Sequence, residues 1–209
     1  MKCLPTYGMR KRKIKMINYP EGATPLDQDE IAGLKFKHIT TREELDHLEQ
    51  ANIESGLKWL RNKRNEEVLT ESFVKELHKK MFGDVWKWAG IFRKSEKNIG
   101  IDPIYISTQL RILIDDVHYW IEYKTFSPME IAIRFHHKLV YIHLFPNGNG
   151  RHARIMADTL LVNKFGHREI DWSGGYELSK MSERRKSYIA ALRHADKGNY
   201  SHLLSFIGI

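Results

Sequence analysis

The chain has 209 residues, 42% of them hydrophobic and 29% charged, and a formal net charge of +8. That length supports one sizeable core and no second domain, the lone cysteine Cys3 excludes an internal disulfide, and no apolar run approaches the roughly 20 residues of a membrane span. The basic excess is scattered, without a helix-turn-helix signature or Arg-Gly repeats, so nucleic acid is not an expected partner.

Residues 1–37 read as a basic tail, with Arg10, Lys11, Arg12, Lys13 and Lys15, followed by an irregular lead-in punctuated by proline and glycine. The basic stretch runs into Tyr19-Pro20-Glu21-Gly22 rather than an apolar core, so it is no secretory signal, and a cytoplasmic protein is expected. Residues 38–209 read as a single domain. Thr41-Arg42-Glu43-Glu44 is a capping box, and Leu45, Leu48, Asn52, Gly56 and Trp59 extend a helix to about Asn62. Thr70 caps a second helix with Phe73, Leu77 and Met81 on one face and Gly83 at its end. Between Asp84 and Ile106, two short β-prone pieces flank the polar run Lys94-Ser95-Glu96-Lys97-Asn98, and predict a hairpin.

Helix follows again. Leu110, Leu113, Val117, Trp120 and Ile121 mark one amphipathic stretch, and Ser127-Pro128-Met129-Glu130 is a capping box with proline at the first helical position. The next helix carries Ala132, Phe135, Leu139 and Ile142 at core spacing and ends at His143. Residues 155–162 are apolar almost all round, which predicts a buried central helix. Gly174-Gly175 marks a turn, Tyr188, Ala191, Leu192 and Ala195 define a further helix, and residues 200–207 a short last one. The expected class is all-α with one small β-hairpin.

The chemistry concentrates in His143-Leu144-Phe145-Pro146-Asn147-Gly148-Asn149-Gly150-Arg151-His152-Ala153-Arg154. It pairs a candidate general base with a glycine-rich turn whose N–H groups can form an anion nest, at a helix N-terminus carrying two guanidinium groups. Such an arrangement suits a phosphoryl or nucleotidyl group; Phe145 fits better as an anchor for the loop than as a catalytic group. His136, His137, His152 and His167 lie nearby, but their spacing matches no common zinc motif.

These twelve residues resemble the Fic family signature, His-x-Phe-x-(Asp/Glu)-Gly-Asn-Gly-Arg-x-x-Arg, departing from it only at Asn147. Pro20-Glu21-Gly22-Ala23-Thr24-Pro25-Leu26, His38-Ile39-Thr40-Thr41-Arg42 and Glu96-Lys97-Asn98-Ile99-Gly100 are similar to the bacterial subgroup named mobile mystery protein B. Because the resemblance begins near Ile17, Met16 is a candidate natural start. The resemblance implies a Fic-type helical bundle and transfer of AMP from ATP, with Mg²⁺, onto a Ser, Thr or Tyr hydroxyl of a target protein. His143 would be the catalytic base, and Gly148, Asn149, Gly150, Arg151 and Arg154 would bind the nucleotide. Asn147 would stand at the metal position as a neutral carbonyl where the family carries a carboxylate. The related Doc kinases have Ala-Asn-Lys where this chain has Gly148-Asn149-Gly150, which favours nucleotidyl over phosphoryl transfer.

The family's flap, which holds the target beside the nucleotide, would comprise Lys94, Ser95, Glu96, Lys97, Asn98, Ile99 and Gly100. Many members are held off by a glutamate that pairs with the second arginine, in a helix bearing Ser/Thr-x-x-x-Glu-Gly/Asn. Glu54 and Glu49 are the candidates, although Gln50 and Leu45 stand where Ser or Thr is usual; the plain alternative is two solvated glutamates. Without an inhibitory glutamate, a separate antitoxin partner is the substitute. Asn147 also leaves open a catalytically weak or inactive fold that binds nucleotide or a partner protein, and the subgroup likeness a toxin paired with an antitoxin.

Overall fold

The computed structural model describes residues 26–39, 41–63, 66–172 and 182–209. The basic tail, the Pro20–Pro25 opening and the Gly174-Gly175 turn lie outside these residues. In chain order the helices are α1 (Gln28–Ile31), α2 (Arg42–Arg61), α3 (Glu71–Phe82), α4 (Ile106–Glu122), α5 (Pro128–Ile142), α6 (Asn149–Phe165), α7 (Ser182–Ala195) and α8 (Ser201–Phe206), with a 3-10 turn at Pro103–Tyr105.

Local chemistry accounts for the helix starts. Thr41 accepts from the Glu44 amide at 3.2 Å while the Glu44 carboxylate accepts from the Thr41 amide at 3.1 Å. Thr70 caps α3 through the Phe73 amide at 3.1 Å. Ser127 caps α5 through the Glu130 amide, but the expected box is only half made. The Glu130 carboxylate turns along the helix and accepts from Arg134 at 2.7 and 2.9 Å, a charge-assisted contact that outcompetes a neutral amide.

Helices α5 and α6 are the central pair. One face of each joins the larger core, where Phe135, Leu139, Ile142, Ala153, Met156 and Leu160 pack with residues of α2, α3 and α4. The other face, with Ala132, Ile133, Ala157 and Leu161, packs against Ala191, Ala195, Tyr200 and Leu203 of α7 and α8. Polar clamps fix the α2–α3 pair. Asn52 donates to Lys80 O at 3.0 Å and to the Asp84 carboxylate at 3.1 Å, and accepts from the Asp84 amide at 2.9 Å.

The expected hairpin between 84 and 106 does not form as a ladder: among the described residues the only β-bridge joins Leu34 to Trp86. The lead-in takes the pairing instead, with Lys35 N donating to Val85 O and Lys87 N to Gly33 O, both at 2.9 Å. Residues 91–102 are an irregular loop, and its backbone is held by a side chain, that of Arg93, in place of a partner strand.

Candidate active site

Helix α5 ends where His143 turns into the left-handed region, φ 57° and ψ 64°. That conformation is unfavourable for a residue with a side chain. Just beyond it, the Phe145 backbone is held by the side chain of Asn149, the first residue of α6. His143 is 5% exposed. Burial foremost, then the positive charges of Arg93 and Lys97, push its pKa down to about 4, against a smaller opposing effect of a backbone hydrogen bond to Val140. A free imidazole titrates near neutrality; the folded one is instead neutral throughout the physiological range, the form in which it can accept a proton.

The loop after His143 is braced from within and from outside. Asn149 Oδ1 accepts from Phe145 N at 2.9 Å, and its Nδ2 donates to Phe145 O at 2.7 Å. Its side chain therefore staples the loop, while its backbone opens α6. His78 of α3 accepts the Gly90 amide at Nδ1 (3.0 Å), so Nε2 carries the proton and donates to Asn147 O at 3.1 Å. Its ring stacks on Phe145 at 3.7 Å, which makes Phe145 the loop anchor expected.

Gly148 is the N-cap of α6, with φ 79° and no side chain to satisfy the first-turn amides. These amides and the helix dipole make a site for a negatively charged group. An added Cβ at Gly148 would lie 2.6 Å from the Phe82 ring, so the fold itself requires glycine there. At Gly150 an added Cβ would meet only Arg154 Nη1, at 3.8 Å. Asn147 Oδ1 accepts from the Gly148 amide at 2.6 Å.

The two arginines flank this helix start on different sides. Arg151 reaches α2 and α3, donating to Glu49 at 2.7 Å and lying 4.8 Å from the Phe82 ring centre. Arg154 faces α7, 5.7 Å from the Tyr188 ring, whose hydroxyl bonds His136 Nε2 at 2.9 Å. Glu49 is 3% exposed, and its second oxygen accepts from Trp86 Nε1 at 2.7 Å. Glu54 is exposed and accepts from Gln50, so the expected ion pair with Arg154 is not made by either glutamate.

Over His143 passes the loop containing Lys94, Ser95, Glu96, Lys97, Asn98, Ile99 and Gly100. Gly100, φ 97°, lies so close that an added Cβ would stand 2.5 Å from the His143 Cβ. Lys97, its side chain 3% exposed, bonds Asp27 at 2.9 Å and Glu30, and Ser95 Oγ bonds Glu30 at 3.1 Å. A cavity of about 340 Å³ opens beside the loop, among Lys75, Phe92, Lys94 and Pro103. Arg93, His78, Trp86, Asp27 and Glu30 carried no sequence signal for these roles, because each acts here through backbone atoms or through partners more than ten residues away. His137 and His152 are engaged separately, with Tyr200 and Asp196, and with Val74 O, and no group of three metal-ligating side chains converges among the described residues.

Residues 68–161, from the start of α3 to within α6, match the model of the Fic/DOC family. This segment is a Fic/DOC family domain. The chain is 27% identical over 170 residues to Protein adenylyltransferase Fic of Aedes aegypti and 25% identical over 174 residues to Protein adenylyltransferase fic-1 of Caenorhabditis elegans. Each alignment covers 78% of this chain and 32% of the relative, so the chain spans about a third of these proteins. Among solved structures, the N-terminal FIC domain of Bep8 from Bartonella sp. 1-1C has the same fold, with a TM-score of 0.64 at 16% identity over 83% of this chain and 92% of that one. BepC of Bartonella tribocorum, solved with bound AMPPNP, gives 0.61 at 18% identity over 85% and 95%. The matched segment therefore contains His143, the glycine turn and both arginines, while Glu49, Asp27 and Glu30 come from residues ahead of it.

Proposed function

We propose that the chain is a protein adenylyltransferase that moves AMP from ATP onto a Ser, Thr or Tyr hydroxyl of a target protein. The observation that carries this reading is a buried, neutral His143 set beside an α6 N-terminus that Arg151 and Arg154 flank. His143 takes the hydroxyl proton as the oxygen attacks the α-phosphorus. The bond from that phosphorus to the bridging oxygen breaks, and its electron pair leaves with pyrophosphate. The α6 amides and the two arginines neutralise the charge that develops on the phosphates. The names of the adenylyltransferase relatives support this reading, and the glycine at 150 favours it over phosphoryl transfer.

In the same reading the 94–100 loop is the flap that receives the target chain, and Glu49, through Arg151, is the inhibitory carboxylate in place of Glu54. Magnesium would arrive with the nucleotide phosphates. Asn147 offers one neutral oxygen already engaged by the Gly148 amide, which is a poor ligand for a hard cation. An antitoxin-like partner, membership of the mobile mystery protein B subgroup and a cytoplasmic location rest on the sequence resemblance and composition. Asn147 also favours a second reading, a catalytically weak fold that binds nucleotide without efficient turnover.

The deciding experiment incubates the protein with lysate and ATP labelled at the α or the γ position. Label transferred only from the α position, and lost in His143→Ala, supports adenylyl transfer. Label arriving only from the γ position makes the protein a kinase, and ATP binding without any transfer favours the second reading.

A further inference from the structure

Arg93 is 3% exposed, an unusual burial for a guanidinium group with no carboxylate bonded to it among the described residues. Its partners are main-chain oxygens. Nε donates to His143 O at 2.6 Å, Nη2 to Ile142 O at 3.3 Å and to Ile101 O, and Nη1 to Ser95 O at 2.9 Å. Its own amide donates to Leu144 O at 2.9 Å. One residue thus satisfies three consecutive carbonyls, those of 142, 143 and 144, where the helix ends.

A helix C-terminus leaves its last carbonyls without intrahelical donors, and a left-handed residue there is usually glycine. Here the left-handed residue is a histidine, whose Cβ makes the conformation unfavourable, so something outside the helix must hold it. The planar five-donor fork of arginine can do so, because it meets several carbonyls in fixed directions at once. The same fork fastens Ser95 and Ile101, the two ends of the loop that crosses His143.

We propose that Arg93 is a positioning residue for His143: it holds the histidine backbone in its left-handed turn and anchors the covering loop, so that the imidazole is presented in one orientation to the incoming hydroxyl. This rests on His143 acting as the base of the adenylyl transfer proposed above. Among the described residues, Arg93 makes no hydrogen bond to Gly148, Asn149, Gly150, Arg151 or Arg154. The glycine turn has its own braces, Asn149 on Phe145 and His78 on Asn147. Chemistry and nucleotide binding should therefore separate when Arg93 is changed.

The test compares wild type with Arg93→Lys, which keeps the charge but loses the fork, and Arg93→Met, which keeps the bulk and loses both. With α-labelled ATP, kcat is expected to fall about 100-fold in both variants, the usual scale for a reacting group displaced by an ångström, while KM for ATP stays within about twofold. The φ-dependent backbone coupling of His143, read by NMR on Arg93→Lys, should leave its left-handed value. The imidazole titration should move upward from about 4 in Arg93→Met alone, because only that variant removes a positive charge facing the ring, leaving Lys97. If Arg93→Met does not fold, the kcat and coupling of Arg93→Lys decide. An unchanged kcat, a KM that rises as kcat falls, or a His143 coupling still left-handed in Arg93→Lys overturns the proposal. The coupling needs no turnover, so it decides the role of Arg93 even where wild type transfers no label, an outcome that instead removes the enzymatic reading.

Discussion

Glu49 and Arg151 form an ion pair across 102 residues of sequence, 2.7 Å between Oε2 and Nη2, with the carboxylate held from behind by the Trp86 indole. On the adenylyltransferase reading proposed above, a buried carboxylate on this arginine occupies a guanidinium face that a phosphate would otherwise take. Replacing Glu49 by Gly should therefore raise transfer and self-modification, and lower KM for ATP. It also leaves Arg151, its side chain 32% exposed, without this partner and the Trp86 N–H without its acceptor, which should lower the melting temperature. The same change at Glu54 should leave rate and KM unaltered and cost only the roughly 1 kcal/mol of a glycine in an exposed helix interior. Parallel initial-rate and melting measurements on the two variants check this, and equal rates in both would remove Glu49 as an inhibitor.

The two glycines of the turn should respond differently. Gly148→Ala meets both a positive φ and the Phe82 ring, so it should lower the melting temperature. Gly150→Ala has room in the free protein and should melt like wild type, yet on the proposed reading it should bind ATP more weakly, because its methyl would stand where the backbone approaches the phosphates. Calorimetric titration with ATP, alongside thermal melts, checks both. Wild-type ATP affinity in Gly150→Ala would move the phosphate site away from this turn.

Asn147→Asp should lower the Mg²⁺ concentration that gives half-maximal transfer. The Asn oxygen is occupied by the Gly148 amide, and its other terminal atom is an NH₂ that repels a cation. A carboxylate can keep the amide and turn a second, charged oxygen outward. Magnesium titrations of transfer on the two proteins make the comparison, and superimposable curves would place residue 147 away from any metal.

Stability should fall with acid. Burial lowers the pKa of His136 to about 3 and those of His143 and His152 to about 4, and it also depresses His78. A histidine with a folded pKa below its unfolded value binds more protons when unfolded, so its contribution is present above about pH 6.5 and is lost as pH falls towards the folded pKa. Asp158, which burial raises to about 7, acts in the opposite sense, losing stability as pH rises from about 4 to 7. Each group changes stability by at most about 1.4 kcal/mol per pH unit, so four histidines outweigh one aspartate. Melts between pH 7.5 and 5 should show a steady decline, and a flat profile would mean that these histidines are not neutral and buried together.

The loop over His143 is latched from the lead-in, since Lys97 lies between Asp27 and Glu30. Lys97→Ala should loosen it, seen as faster amide exchange at residues 95–101 with α5 and α6 unchanged. Unaltered exchange in the loop would show that Arg93 and the Ser95–Glu30 bond hold it without Lys97.

Much of the site was legible in the chain because its parts are contiguous. The histidine, the glycine turn and both arginines lie within twelve residues, and a helix end followed by a helix start brings them together by local geometry alone. The capping residues Thr41, Thr70 and Ser127, and the apolar spacing of α5 and α6, were legible for the same reason, since caps and periodicity act over three or four residues. What only the tertiary structure decided is how that apparatus is held and tuned. The imidazole pKa follows from burial under a loop some fifty residues earlier in the chain. The expected hairpin gave way because the lead-in supplied a partner for residues 85–87 and Arg93 supplied donors for the rest. Of two similar glutamates five residues apart on α2, Glu49 faces Trp86 and Arg151, while Glu54, half a turn away around the helix axis, faces solvent. That choice depends on how α2 is rotated against α3 and α6. No local pattern encodes that rotation, because it is set by the packing of side chains far apart in sequence.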